Sequence, residues 1–261
     1  MRKSKNRHDF IRVYKYGDCG YKYVYFKYLS EGARRRRGVP TEQVPVVAPV
    51  TAKAEGAGTE TGGTIEPGAL SRFDSSISRT RSLIFEIALC NNFEYFCTFT
   101  QDMQKVNDRF DLSTFRARLS QFVRNQNRYR SAENKIEYLL IPEQHKDGAW
   151  HMHGLIRGLT DDDLKINEHG YLDWYKYRDR FGFFSCSRIK SHEACSRYIT
   201  KYVSKSLFST NVESGGHMFF ASKGLRRKEC VADYDYEHGM YDEWDFENDY
   251  VKIRWQSEFT I

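Results

Sequence analysis

The feature that most constrains the fold of this chain is a pair of apolar runs separated by a polar stretch rich in histidine. The runs are residues 136–141 and 155–156, and the stretch between them ends in His-Met-His-Gly at 151–154. Short apolar runs on either side of an Asp-Gly pair, here at 147–148, are typical of two antiparallel strands joined by a turn. The sequence therefore predicts a β-hairpin at this point.

The histidines of this hairpin predict a metal site. Successive side chains of a strand point to opposite faces, so His151 and His153 share one face. Two imidazoles need a further ligand, and the hairpin register decides which residue supplies it. A seven-residue connection places Glu143 opposite His151, whereas a two-residue turn brings Gln144 to that face. We favour Glu143, because a carboxylate binds a hard divalent ion better than an amide does. His145 has the same parity but lies in the loop, and the alternative is a solvated hairpin whose histidines only fill surface.

A second pattern lies on a predicted helix that begins after Ser191. Tyr198 and Tyr202 are four residues apart and therefore share a face, and Lys201 and Lys205 each follow one of them by three residues. A free phenol has a pKa near 10, and a neighbouring cation lowers the cost of the phenolate. Such a phenol can act as a nucleophile. The alternative is an ordinary amphipathic helix with two core tyrosines and two surface lysines.

Composition excludes several classes of protein. The 261 residues carry a net charge of +6, a weak indication of a polyanionic partner. There is no apolar run of membrane-spanning length and no signal-peptide pattern, so we expect a cytoplasmic protein without a membrane partner. The six cysteines form no Cys-x-x-Cys pair, which argues against zinc knuckles and disulfide frameworks. No Gly-x-x-x-x-Gly-Lys-Ser/Thr loop occurs, so we expect no nucleotide cofactor.

Four segments differ in composition. Residues 1–33 form a basic, aromatic arm that we expect to be a small hairpin or poorly ordered, and residues 34–70 read as a flexible linker. Residues 71–230 carry the regular patterns, in the order strand–helix–strand–strand–helix–strand. Residues 231–261 form an acidic extension with a possible edge strand near its end. The order predicts an α+β fold, a ferredoxin-like (split βαβ) antiparallel sheet with helices on one face.

These patterns together resemble a known family. His151-Met-His153 is followed by the paired tyrosines with their lysines, and residues 96–101 (Phe-Cys-Thr-Phe-Thr-Gln) match the aromatic, threonine-rich strand that precedes them. In this order they resemble the HUH endonucleases. More narrowly, they resemble the rolling-circle replication initiators of small single-stranded DNA phages and their plasmid relatives. The resemblance covers about residues 71–230.

The resemblance implies a DNA-nicking and joining enzyme. A Mg²⁺ or Mn²⁺ ion held by His151, His153 and Glu143 would polarise the scissile phosphate. Tyr202 would attack phosphorus first, leaving a 5′-phosphotyrosine and a 3′-hydroxyl. Tyr198 would attack when the replicated origin returns, releasing a unit-length circle.

The resemblance also implies DNA contacts and partners. Thr98 and Thr100 would support the metal or the DNA strand, and Lys223, Arg226 and Arg227 of a basic loop are predicted DNA-binding residues. The partners would be single-stranded origin DNA and the DNA polymerase and helicase of a bacterial host, in whose cytoplasm the enzyme would act.

Three other functions compete with this one. The first is the same chemistry in a relaxase or transposase of a mobile element. The second is a non-catalytic module that binds single-stranded nucleic acid through exposed rings such as Phe96 and Phe99. The third is a metal-dependent hydrolase that activates water, for which the tyrosines are incidental.

Overall fold

The computed structural model describes residues 9–27, 67–209, 218–237 and 241–260. Within these residues the helices are α1 (Pro67–Cys90), α2 (Leu112–Asn127), α3 (Tyr175–Arg180) and α4 (His192–Ser209). The strands are β1 (Phe10–Lys15), β2 (Tyr21–Phe26), β3 (Tyr95–Thr100), β4 (Glu137–Gln144), β5 (Trp150–Arg157), β6 (Leu164–Ile166), β7 (Leu172–Trp174), β8 (Phe184–Arg188), β9 (Phe220–Ala221), β10 (Glu229–Asp235), β11 (Phe246–Glu247) and β12 (Val251–Gln256). No helix in this part of the chain has the length and apolarity to cross a bilayer.

One antiparallel sheet holds the predicted hairpin. Its strand order is β6-β7-β8-β3-β5-β4-β9, so β5 lies between β3 and β4. The chain runs from β3 through α2 to β4 and then returns through β5 between them. This arrangement is a split βαβ unit. The predicted α+β, ferredoxin-like antiparallel fold is confirmed.

The face of this sheet that α2 covers is a continuous apolar core. Tyr95, Cys97 and Phe99 project from alternate positions of β3 and pack with Phe115 and Phe122 of α2. Asp111 begins the helix, because its carboxylate accepts a hydrogen bond of 2.8 Å from the backbone N–H of Ser113. Burying one large apolar side chain stabilises a fold by roughly 1.5–3 kcal/mol. This face is therefore a main source of the stability of the sheet.

The opposite face is covered as well, which corrects the prediction that the helices lie on one face. Helix α4 packs against β4 and β5 and buries Ile199 and Val203. Leu139, Ile141 and Leu155, which alternate with the residues of the first core, are also fully buried. Because both faces of these strands are apolar in their middle, each face needs a helix to exclude water.

A second antiparallel sheet joins the two ends of the chain, in the order β10-β1-β2-β12-β11. The predicted aromatic arm supplies the hairpin β1–β2, and the predicted acidic extension supplies β11 and β12. Strand β12 pairs on both sides, so it is a strand of this sheet but not its edge. The described residues divide into two compact units, one within Leu83–Arg227 and the other within Met1–Ser82 and Lys228–Ile261. Most of the predicted linker, residues 28–66, lies outside the described residues.

Gly154 allows β4 and β5 to approach each other beside the histidines. A Cβ atom at this position would lie 2.1 Å from the carbonyl oxygen of Leu139 and 2.9 Å from the Cα of Leu140. Both atoms belong to the backbone of the neighbouring strand, which cannot yield without breaking the ladder. Any side chain at position 154 therefore changes the spacing of the hairpin.

We expect Gly154→Ala to lower the free energy of unfolding by about 3 kcal/mol, because the added methyl group overpacks a backbone contact. Urea denaturation measures this loss. Gly170→Ala is the matched control, since nothing lies within 4 Å of its Cβ position and only its φ of +79° is unfavourable. The control should cost about 1 kcal/mol. Equal losses in the two variants would contradict this account.

Candidate functional site

The register of the hairpin places Glu143 directly opposite His151 and Gln144 opposite Trp150. The loop 145–149 closes on itself, with the N–H of His145 donating to the carbonyl of Ala149 at 2.8 Å. The prediction that Glu143, and not Gln144, faces the histidines is confirmed. The longer connection decides this register, since a two-residue turn would have shifted every side chain to the other face.

Two threonines orient the histidines from the neighbouring strand. Thr98 pairs with His153 and Thr100 with His151 across β3 and β5. Each hydroxyl oxygen lies 3.0 Å from the Nδ1 atom of its histidine. A histidine whose Nδ1 is held in this way presents Nε2 to a ligand, which is how metal-binding imidazoles are usually oriented. The sequence pattern predicted a supporting role for these threonines but not the atoms they contact.

Glu143 and the histidines supply a donor set suited to a divalent cation. The Nε2 atom of His153 lies 2.8 Å from a carboxylate oxygen of Glu143, and Glu143 is largely buried. Among the described residues, no group of three His, Cys, Asp or Glu side chains is already gathered as a metal site. Two imidazoles and one carboxylate nevertheless fit a divalent transition-metal ion or Mg²⁺. A bound ion would replace the direct contact between Glu143 and His153.

His145 belongs to this cluster, although its place in the loop argued against it. Its ring stacks on that of His151, with the centroids 4.3 Å apart and the planes at 24°. Burial lowers the pKa of His151, and the neighbouring His145 lowers it further. A neutral imidazole at position 151 is therefore favoured, which is the form that binds metals. The signal in the sequence was the even spacing of positions 145, 151 and 153.

Helix α4 brings both tyrosines to the histidine face of the sheet. The ring of Tyr202 stacks on that of His153, with the centroids 4.6 Å apart and the planes at 19°. The hydroxyl oxygens of Tyr198 and Tyr202 are 3.1 Å apart. Both rings also contact Phe96, at 5.6 and 6.0 Å between centroids. The two patterns that the sequence analysis treats separately therefore meet in one site.

The two tyrosines differ in their surroundings. Tyr198 is exposed, whereas Tyr202 is partly buried. Burial raises the pKa of Tyr202, and the hydrogen bond with Tyr198 and the negative charge of Glu143 raise it further. The phenol of Tyr202 therefore keeps its proton at neutral pH in the absence of any ligand.

The predicted basic residues are arranged less uniformly. The ammonium group of Lys201 lies 5.5 Å from the ring centroid of Tyr198. The side chain of Lys205 lies outside the described residues.

The basic loop is held to the end of α1. The backbone N–H of Arg226 donates to the side chain of Asn91 at 2.9 Å, and the guanidinium of Arg227 forms an ion pair with Glu86. Lys223 is exposed to solvent. Arg227 therefore stabilises the position of the loop, while Lys223 and Arg226 project from it.

The aromatic residues of β3 do not form an exposed stacking surface. Phe99 is fully buried in the core beneath α2, which corrects the expectation that its ring is accessible. Phe96 lies on the other face, where the two tyrosines contact it. The reason is the alternation of the strand, which sends neighbouring odd and even positions to opposite faces.

Comparison with known proteins supports a role in replication. Residues 94–207 match a family model of replication-associated proteins, the ORF2 type. The match spans less than half of the chain, from β3 to the end of α4, and so includes the histidines and both tyrosines. No curated protein and no solved structure gave a significant match. The family match supports a replication initiator and makes DNA the expected partner.

We expect Tyr202 to titrate above the ordinary tyrosine value near 10. Tyr198→Phe should lower the pKa of Tyr202, because it removes the hydrogen bond that helps to keep the phenol protonated. A pH titration of ¹³Cζ-labelled tyrosine by NMR, assigned with Tyr202→Phe, measures the shift. Tyr129→Phe is the control, since Tyr129 is exposed and distant in sequence. A Tyr202 pKa that stays the same in Tyr198→Phe would contradict the coupling of the two phenols.

Proposed function

We propose that this protein is a replication initiator that nicks and rejoins single-stranded origin DNA, and so starts rolling-circle replication. The observation that carries the proposal is the stacking of Tyr202 on His153, whose imidazole contacts Glu143. This contact puts a potential nucleophile next to a potential cation site, close enough for one phosphodiester to reach both. The family match over the same residues supports it.

Tyr202 is the proposed first nucleophile. Its phenol oxygen forms a bond to phosphorus, the bond between phosphorus and the 3′-oxygen breaks, and the phenol proton is lost as the 3′-oxygen gains one. The products are a 5′-phosphotyrosine and a free 3′-hydroxyl, which a host DNA polymerase can extend with a host helicase. Tyr198, whose hydroxyl lies 3.1 Å from that of Tyr202, can attack in the later joining step.

A divalent cation is part of the proposal. Held by His151, His153 and Glu143, Mg²⁺ or Mn²⁺ would act as a Lewis acid towards the scissile phosphate. Thr98 and Thr100 would keep the imidazoles oriented for that purpose. Lys201 and Lys205 would bind phosphate oxygens near the two phenols.

The other candidate functions explain fewer of these contacts. A binding module does not require Tyr202 against His153, and a hydrolase that activates water does not require the pair of phenols. A relaxase or transposase would use the same chemistry on different DNA. Trapping the covalent product separates the first two from the proposal, since a binding module forms none and a hydrolase cleaves without one.

We expect Tyr202→Phe to lower first-strand cleavage by at least about 10³-fold, because the attacking oxygen is removed. Tyr198→Phe should retain first cleavage and lose the joining step. The measurement is a denaturing gel of protein incubated with Mn²⁺ and a labelled single-stranded origin oligonucleotide, in which the covalent adduct migrates more slowly. Equal loss of adduct in the two variants would show that the phenols are interchangeable and would refute the assignment.

We expect Thr98→Val to weaken Mn²⁺ binding by about 10–100-fold, because the imidazole of His153 loses the hydroxyl that orients it. Isothermal titration calorimetry of the DNA-free protein measures this change independently of cleavage. Thr114→Val is the control, since Thr114 hydrogen-bonds to Asp111 at the start of α2 and not to a histidine. Unchanged affinity in Thr98→Val would show that the threonine does not support a metal ligand.

A further inference from the structure

A second polar feature involves α2, which covers the sheet face opposite the tyrosines. An open groove of about 400 Å³ lies between α2 and the end of α3. Three arginines line it, Arg118, Arg124 and Arg180, and its lining contains no carboxylate. The helical positions of Arg118 and Arg124 place them on opposite rims of the exposed stripe of α2.

The charges of these arginines are not neutralised within the described part of the chain. Arg118 donates weakly to a backbone carbonyl at 3.4 Å, Arg124 donates to the side-chain oxygen of Gln121 at 2.7 Å, and the guanidinium of Arg180 lies over the ring of Phe181. No described ion pair includes any of the three.

Other arginines of the same unit are paired with acids. The pairs are Arg109 with Asp147, Arg130 with Asp163, Arg157 with Glu137, and Arg178 with Asp173. Three guanidinium groups gathered without a counter-charge produce a positive potential that attracts an anion. The groove is therefore unlike the ordinary charged surface of this domain.

The remaining lining narrows the chemistry of the ligand. A guanidinium group presents paired N–H donors that match two phosphate oxygens. Gln121 and Asn125 add amide groups, and Phe122 and Phe181 supply an apolar floor. Cations that follow a backbone, together with accessible aromatic surface, are typical of sites for single-stranded nucleic acid.

We propose that this groove binds a segment of single-stranded DNA through its phosphates, apart from the segment that is cleaved. The inference rests on the proposed function only for naming DNA as the polyanion present. Because α2 and the tyrosines lie on opposite faces of the sheet, the bound segment is not the one at Tyr202. It is DNA that flanks the scissile phosphate, and the groove adds affinity without reading base sequence.

The salt dependence of DNA binding tests the groove. We compare wild-type protein with the triple variant Arg118→Gln, Arg124→Gln, Arg180→Gln, using fluorescence anisotropy with a mixed-sequence single-stranded oligonucleotide of about 30 nucleotides in EDTA. Losing three phosphate contacts should make the slope of log K against log salt shallower by about 2. This binding measurement does not depend on nicking, so it can succeed where the proposed cleavage fails, and the reverse.

The matched control removes the same charge outside the groove. Arg116, Arg128 and Arg188 are exposed and are not part of its lining. Their triple change to glutamine should alter the slope by less than about 1. Equal slopes in the two triple variants would overturn the proposal. A larger loss of affinity for duplex than for single-stranded DNA would overturn the assignment to a single strand.

Chemical protection provides a second measurement on the unaltered chain. Phenylglyoxal modifies accessible arginines, and mass spectrometry of the digested protein locates the modified sites. Single-stranded DNA should protect Arg118, Arg124 and Arg180 while leaving Arg128 reactive. Protection of the three by an acid-rich peptide of residues 241–249, without protection by DNA, would show that the groove binds acidic protein segments and would overturn the proposal.

Discussion

The pairing of β5 with β3 on one side and β4 on the other is the interaction on which the candidate site depends. Its backbone ladder places His151 and His153 opposite Thr100 and Thr98, and it places Glu143 opposite His151. A slip of one residue would turn every one of these side chains to the other face. The absence of a side chain at Gly154, where β4 comes within contact distance, keeps the two strands close enough for this geometry.

The electrostatics of Tyr202 follow from this arrangement. Packing against His153 removes its ring from water, and the carboxylate of Glu143 is near enough to disfavour a phenolate. The proposed nucleophile is therefore protonated and inactive in the protein alone. Within the proposed function, activation depends on groups that arrive with the substrate or surround it, which limits the reaction of the phenol with anything other than a bound phosphodiester.

The sheet separates two kinds of chemistry on its two faces. One face carries the histidines, Glu143 and the tyrosines, and its apolar middle is covered by α4. The other is a hydrophobic core beneath α2, and the three groove arginines belong to α2 and α3. A strand with alternating side chains serves both purposes, because each position belongs to one face only. Contacts for binding and groups for chemistry can therefore change independently.

Much of the site was predictable from local patterns. Alternation placed His151 and His153 on one face, and the spacing of Tyr198 and Tyr202 placed their phenols on one side of a helix. The order of elements predicted the split βαβ sheet. The pattern did not reveal the stacking of His145 on His151 or the burial of Phe99, because both depend on which neighbouring element covers a given face.

By itself the sequence determined the type of each main element and which of its residues share a face, since these follow from the short periods of strands and helices. Only the tertiary structure decided that Glu143 and not Gln144 faces the histidines, that Tyr202 rests on His153, and that the two ends of the chain share a sheet. These outcomes depend on pairings between residues far apart in the chain. Local periodicity carries no record of such pairings, and the burial and backbone hydrogen bonds of the folded molecule select them.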